Sequence, residues 1–72
     1  MKITDAATFG AAIRQRRKSL HYTQAQLAEF SGLSTSFLSD LENGKPTCSL
    51  EKALFVLNLL GMDCEFRERG DG

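Results

Sequence analysis

The sequence predicts an all-α domain, a bundle of four to five short helices followed by one short C-terminal β-strand. Apolar residues recur at helical spacing in four separate segments, and each segment is bounded by a capping residue or a glycine. The last apolar residues alternate with charged ones instead, which is the period of a strand. With 72 residues, the chain has room for one small core.

The first helix is predicted over residues 6–20. Phe9, Ile13 and Leu20 recur on one face, and Ala12 fills the same face. The other face carries basic side chains. Such a run is usually only a solvated surface, and general attraction to a nucleic-acid duplex is the alternative. These basic residues are Arg14, Arg16 and Lys18.

The second and third helices predict a helix-turn-helix. Thr23 opens the second helix as a capping box, because its hydroxyl can accept the Gln26 N–H while the Gln26 side chain reaches back. Gly32 closes this helix. Ser34 caps a third helix that extends through Asn43. The short connection, with glycine in it, indicates a helix-turn-helix.

Ser49 opens a fourth helix, predicted over residues 50–60, that is apolar on nearly every face. A helix of this kind must be buried nearly all round, and three small helices cannot surround it. We therefore expect a partner to cover it. One apolar stripe consists of Leu50, Ala53, Leu54, Leu57 and Leu60, and the other faces carry Phe55, Val56 and Leu59.

Residues 62–66 predict a half-buried strand with Met62, Cys64 and Phe66 on one face. A lone strand leaves its backbone N–H and C=O groups unpaired. We expect it to pair with the same strand of a second copy in a two-fold homodimer. The alternative is an apolar tail folded over its own core. Residues 68–72 are expected to be disordered. The predicted dimer interface comprises Phe55, Leu59, Met62, Cys64 and Phe66.

Composition excludes several classes of protein. No apolar stretch approaches the length of a membrane span, and because no apolar segment follows a basic start, we expect no signal peptide. Cys48, Cys64 and His21 form neither a disulfide framework nor a zinc site, so we expect reduced thiols and a cytoplasmic location. No catalytic set and no phosphate-binding loop can be assembled. We therefore expect a binding module, not an enzyme, with no cofactor and no metal.

The outward positions of the third helix point to DNA. Thr35, Ser36 and Ser39 are mediocre helix formers, and a purely structural helix would favour Glu, Lys or Ala there. Small hydroxyl side chains allow a helix to enter the major groove and contact base edges. The alternative is a solvated, serine-rich face. Asp40 lies near this face, where it would repel phosphate or accept from a cytosine amino group.

The chain resembles the XRE family of Cro- and C1-type repressors, which have the lambda-repressor-like helix-turn-helix fold. The resemblance covers residues 9–60 and lies in YTQAQLA at 22–28, SGLS at 31–34 and FLSDLENGK at 37–45. Within the family, the chain is most similar to HipB-like antitoxins. That similarity lies in IRQRRK at 13–18, SLEKAL at 49–54 and the short C-terminal strand.

The resemblance implies a role for individual residues. The base-contacting positions correspond to Ser34, Thr35, Ser36 and Ser39. Phosphate contacts correspond to Gln24, Asn43 and Lys45, with Arg14 and Lys18 as further basic contacts. A partly buried ion pair between the first and third helices corresponds to Arg17 and Glu42.

The function implied is that of a homodimeric repressor at a palindromic operator, working at the nucleoid. By resemblance, the chain autoregulates its own promoter and binds a HipA-like kinase toxin. Residues 1–61 form the DNA-binding domain, and residues 62–72 form the dimerisation strand and flexible tail. A net charge of zero is atypical of a DNA-binding protein. The alternatives are a stand-alone XRE-type regulator and a protein-interaction module that has lost DNA binding.

Overall fold

A computed structural model describes residues 2–70 of the chain, and this part contains four helices and no strand. Residues 71 and 72 of the predicted disordered tail lie outside the described residues. The prediction of an all-α domain is confirmed, and each predicted helix is present with its ends displaced by a residue at most. The helices are α1 (Ala6–Ser19), α2 (Gln24–Ser31), α3 (Thr35–Glu42) and α4 (Leu50–Leu59).

A side-chain cap starts every helix. Thr23 forms the predicted capping box of α2: its hydroxyl accepts the Gln26 N–H at 3.0 Å, and its own N–H donates to the Gln26 side chain at 2.9 Å. Asp5 makes an equivalent box at α1. Ser34 and Ser49 accept a backbone N–H at the starts of α3 and α4. Each cap satisfies an N–H group that the first helical turn leaves unpaired.

Three helices end in the same kind of turn, in which the residue after the C-cap has left-handed backbone. In α3 this residue is Gly44, with φ 80°, and its N–H donates to the Leu41 carbonyl at 3.1 Å. The next N–H, of Lys45, donates to the Asp40 carbonyl at 3.0 Å. This pair of bonds is a Schellman motif. The corresponding left-handed residues of α1 and α4 are His21 and Gly61.

The core takes one fully buried side chain from each helix. These are Ile13, Leu27, Leu38 and Val56, none of which is exposed to solvent. Because Leu27 lies in α2 and Leu38 in α3, the helix-turn-helix is held together by the same core that joins it to α1 and α4. The orientation of α3 is therefore fixed by its packing on this shared core.

Helix α1 lies so close to the end of α3 that their backbones are in contact. A Cβ atom at Gly10 would overlap the Leu41 carbonyl oxygen and lie 2.8 Å from that of Glu42. Only glycine leaves room for this approach. It brings the basic half of α1 beside the C terminus of the predicted DNA-reading helix.

Helix α4 is buried on one side only. Leu50, which the sequence places in the same apolar stripe as Ala53 and Leu57, is 70% exposed in the single chain, whereas those two are buried. Val56 is buried as well. Phe55 and Leu59 are 47% and 43% exposed, and their spacing of four residues places them on one stripe that faces away from the core.

The predicted strand is not formed in a single chain. Met62 is half-buried and its N–H donates to the Leu57 carbonyl, but residues 63–70 have no regular secondary structure. Phe66 is 95% exposed, so the tail does not fold over its own core. A strand at 62–66 needs a second strand for its backbone groups, and the single chain provides none. No helix in residues 2–70 is long and apolar enough to cross a membrane.

Candidate DNA interface

The outward face of α3 carries hydroxyl groups where the sequence predicts base contacts. Thr35 and Ser36 are exposed, and Ser39 is half-buried one turn further along. Leu38 and Leu41 are buried on the opposite side of the helix. The apolar side chains of α3 therefore hold its hydroxyl-bearing face outward, with no long side chain over Thr35 and Ser36.

Ser34 has a structural role in addition to its predicted base contact. Its hydroxyl oxygen accepts the Phe37 N–H at 3.0 Å and so caps α3. A hydroxyl has one donor and two acceptor sites, so the cap leaves the hydroxyl hydrogen available to a nucleic-acid acceptor. Ser34 sits at the N terminus of α3, where the helix dipole also favours a phosphate.

Arg17 and Glu42, the residues predicted to pair, form a buried bidentate ion pair. Arg17 Nε donates to Glu42 Oε2 at 2.7 Å, and Nη2 donates to Oε1 at 2.9 Å. Arg17 Nη1 also donates to the Tyr22 carbonyl at 2.8 Å. The guanidinium thus joins α1, the following turn and the last residue of α3. This clamp orients α3 without taking part of its outward face.

The electrostatics of the pair favour both charges. Burial by itself would raise the pKa of Glu42, but the hydrogen bonds from Arg17 and Gln24, together with the charges of Arg17 and Arg14, hold that pKa below its ordinary value. The hydrogen bond with Glu42 raises the pKa of Arg17, against a smaller effect of burial. Glu42 is therefore a carboxylate at neutral pH, and its charge is neutralised inside the fold.

Gln24, a predicted phosphate contact, is held by this ion pair. It is the first residue of α2, and its Nε2 donates to Glu42 Oε1 at 3.2 Å. The side chain is half-buried and fixed at a helix N terminus, the end that favours anions. The bond to Glu42 leaves the amide oxygen and one N–H of Gln24 available for other partners.

The predicted phosphate contacts at the other end of α3 are exposed. Asn43 is the C-cap, and its Nδ2 donates to Ser39 Oγ at 3.4 Å. Lys45 Nζ forms an ion pair with Asp40 Oδ2 at 3.4 Å. Both contacts are on the surface and can open without leaving a buried group unpaired.

The basic face of α1 divides into two parts. Arg14 and Lys18, both predicted phosphate contacts, are exposed and lie four residues apart on the same side of α1. Arg16 is half-buried, and its Nε donates to the Leu60 carbonyl at 2.9 Å. It belongs to the structure of the bundle and not to the solvated basic face that the sequence predicts. Nothing local in the sequence signals this role, because the accepting carbonyl lies 44 residues away.

The helix-turn-helix model HTH_3 matches residues 13–66, which include α2, α3, α4 and the second half of α1. The chain belongs to this helix-turn-helix family. A curated relative, the HTH-type transcriptional regulator y4mF of Sinorhizobium fredii, is 37% identical over 70 residues, covering 97% of this chain and 92% of y4mF. The ImmF control region 10 kDa protein of Bacillus phage phi105 is 36% identical over 58 residues, covering 76% of this chain and 64% of that protein.

Solved structures of HipB have the same fold. A HipB-O4 20mer complex matches with a TM-score of 0.86 at 21% identity, covering 97% of this chain and 99% of the matched chain. A HipA-HipB-O2-O3 complex matches with the same TM-score, identity and coverage. With its family and fold established, the chain is an XRE-type helix-turn-helix transcriptional regulator whose fold is close to that of HipB.

Proposed function

We propose that the protein is a sequence-specific repressor that binds a palindromic operator as a homodimer, with α3 in the major groove of each half-site. The observation that carries this proposal is the outward face of α3. It presents small hydroxyl groups while a buried ion pair and the core fix its orientation. Such a helix meets the steric requirement for deep entry into the groove.

Contacts to DNA divide into two kinds in this proposal. Gln24, Asn43 and Lys45 bind phosphates at the two ends of the helix-turn-helix, with Arg14 and Lys18 on the flank. These contacts set register and orientation but carry no sequence information. The base edges are read by Ser34, Thr35, Ser36 and Ser39. None of these side chains can make the bidentate base contact that Arg, Asn or Gln makes. The shape of the groove therefore supplies part of the specificity.

The second copy covers the apolar stripe of α4. Phe55 and Leu59 are large, exposed and one helical turn apart, which is the arrangement of a helix that packs on a partner. Pairing of residues 62–66 with the same residues of the second copy also satisfies the backbone groups of the tail. Such a dimer would read half-sites about 34–36 Å apart, one turn of DNA.

A second part of the proposal concerns biological context. The protein acts as a HipB-like antitoxin that represses its own promoter at the nucleoid, in the cytoplasm, and binds a HipA-like kinase toxin. The support is the fold match along nearly the whole chain to HipB, including HipB in a complex with HipA. A stand-alone XRE-type regulator has the same DNA interface and differs only in lacking the toxin.

One observation favours a different class of function. The net charge is zero, with five basic residues and one acidic residue through residue 28, then four basic and eight acidic residues. A protein-interaction module that has kept the fold but lost DNA binding would have such a balance. Its partner would bind the apolar stripe of Phe55 and Leu59, and its affinity would depend little on salt.

Binding to the protein's own upstream DNA across a salt series separates these functions. A dimer with six to ten phosphate contacts loses roughly 10³–10⁵ in affinity between 50 and 200 mM salt. We expect such a loss, with two protomers bound and scrambled duplex unable to compete. The matched variant Lys45→Gln should reduce the salt slope by about one, whereas Lys52→Gln on α4 should leave it unchanged.

A failure to prefer upstream DNA over scrambled duplex at every salt concentration would contradict a repressor that binds its operator without a further protein. Repeating the series with the protein encoded beside this one then distinguishes two cases. A gain of specific binding on adding a kinase-like neighbour indicates an antitoxin that needs its toxin for affinity. If the neighbour produces no gain of specific binding, the protein-interaction module is the function that remains.

A further inference from the structure

Helix α3 has two carboxylates, which lie in different environments. Glu42 is buried and neutralised by Arg17. The Asp40 side chain is 46% exposed and lies one turn after Ser36, beside the predicted base-contacting face. Asp40 is thus the one charged side chain that α3 presents to solvent. A carboxylate here needs an explanation, since it lowers the affinity of a DNA-reading helix for every phosphate nearby.

The end of α3 places a lysine at this carboxylate. The Schellman motif brings the Lys45 N–H to the Asp40 carbonyl at 3.0 Å, and the same geometry sets the two side chains together, with Nζ 3.4 Å from Oδ2. In Schellman motifs the side chains at these two positions frequently make an apolar contact. Here the contact is ionic, because the turn places the Lys45 ammonium group beside the Asp40 carboxylate.

The ion pair is exposed on both sides and so is weak enough to rearrange at a duplex. An ionised carboxylate can only accept hydrogen bonds. In the major groove it finds acceptors on guanine and thymine, and an acceptor beside the donor on adenine. The amino group at N4 of cytosine is the donor that a carboxylate side chain reads.

We propose that Asp40 is a specificity-determining residue, which accepts a hydrogen bond from the N4 amino group of one cytosine in each half-site. Lys45 screens the carboxylate from the neighbouring phosphate while this bond forms. The inference rests on the proposed function and adds a charged base contact to a face otherwise made of hydroxyls. On a sequence without that cytosine, the carboxylate faces acceptors and phosphates, and binding is weakened.

Selection of bound sequences from a randomised duplex pool tests this inference. The wild-type protein, Asp40→Asn and the control Glu51→Gln are compared, since both variants remove one exposed negative charge. We expect the wild type to select cytosine at one position of each half-site. Asp40→Asn should select adenine there, because an amide pairs with N6 and N7 of adenine, and should keep the other positions. Glu51→Gln should keep the wild-type sequence.

Affinity measured on two duplexes that differ at that position gives the size of the effect. Replacing the cytosine should weaken the wild type by about 5- to 150-fold, the range for one base contact. A uniform gain of Asp40→Asn on all duplexes, with no change of preferred base, would show mere repulsion and overturn the inference. If the wild type enriches no sequence, the proposed function itself fails, which is a distinguishable result.

Discussion

Glu42 receives hydrogen bonds from residues of two other helices, Arg17 of α1 and Gln24 of α2. It is also the last residue of α3. One carboxylate therefore sets the position of α3, which is the proposed DNA-reading helix, of a predicted phosphate contact and of the clamp from α1. Because the pair is buried, removing one charge leaves the other uncompensated inside the fold.

Stability should respond strongly to breaking this pair. Arg17→Met should lower the free energy of unfolding by about 3–5 kcal/mol, because Glu42 is left buried and charged. The double variant Arg17→Met/Glu42→Leu should recover most of this loss, since no stranded charge remains. Urea unfolding followed by circular dichroism measures both. A double variant no more stable than Arg17→Met would show that lost packing, not a buried charge, is responsible.

The same pair predicts how stability depends on pH. The folded-state pKa of Glu42 lies below its ordinary value of 4.5, so the folded state binds a proton less readily than the unfolded state does. Its contribution is fully present above that ordinary value and is lost as pH falls through the folded-state pKa. Glu42→Gln should flatten the decline in stability below pH 4.5, and Glu51→Gln should not. Equal slopes in both variants would contradict this assignment. Asp5, whose pKa is lowered by its hydrogen bonds with Thr8, leaves a residual slope.

At the scale of elements, helix ends determine how the helices pack. Gly32 and Gly44 end α2 and α3 with similar left-handed backbone, at φ 73° and 80°. Their surroundings differ: a Cβ at Gly32 meets nothing within 4 Å, whereas a Cβ at Gly44 would lie 2.7 Å from the Ala7 Cα. The turn after α3 is therefore also a contact surface for the start of α1.

This pair of glycines gives a matched test of docking at the end of α3. Gly32→Ala should cost about 1–2 kcal/mol, the backbone strain alone. Gly44→Ala should cost about 1–3 kcal/mol more, because the added methyl group overlaps α1. Chemical denaturation of the two variants compares them directly. Equal losses would mean that α1 and the turn separate at little cost.

The elements that could be predicted from the sequence are those specified locally. The capping box of Thr23 and Gln26 and the glycine at position 32 are signals within one helical turn, and α2 begins and ends where they indicate. The hydrogen bond from Arg16 to the Leu60 carbonyl could not be predicted, because it joins residues distant in sequence. The exposure of Leu50 in the single chain could not be predicted either, because helical periodicity gives the direction of a side chain but not where the neighbouring helices end.

The candidate site likewise contains some features that the sequence indicates and one that depends on the folded structure. Hydroxyl residues at outward positions of α3 are a periodic signal, and the resemblance indicated Arg17 and Glu42 as a pair. The Asp40–Lys45 contact depends on the turn geometry after α3, which the sequence signals only through Gly44 and the following lysine. The tail is the element least determined by its own residues, since the strand predicted at 62–66 would need a partner for its backbone groups.

At the scale of the whole molecule, the apolar surface is unevenly distributed. The core is complete with one fully buried side chain from each helix, yet six large apolar residues of residues 2–70 remain exposed. Three of them, Phe55, Leu59 and Phe66, lie in the second half of α4 and the tail, and the others are Ile3, Phe30 and Leu50. Large apolar groups concentrated in this way mark an interaction surface. A domain of this size gains stability from association, because its own core is small.

Two charge substitutions on α4 test whether that surface is the dimer interface. Leu59→Lys places a cation at the C terminus of α4, and Leu50→Asp places an anion at its N terminus, so the helix dipole favours both. The two side chains lie on opposite sides of the helix, nine residues apart. Sedimentation equilibrium should show dimerisation weakened at least about 30-fold by Leu59→Lys, the scale of a central interface residue, and unchanged by Leu50→Asp. Since operator binding needs both half-sites, specific affinity should fall with dimerisation. A fully dimeric Leu59→Lys would place the contact between copies elsewhere, and the strand at residues 62–66 would then lose its expected partner.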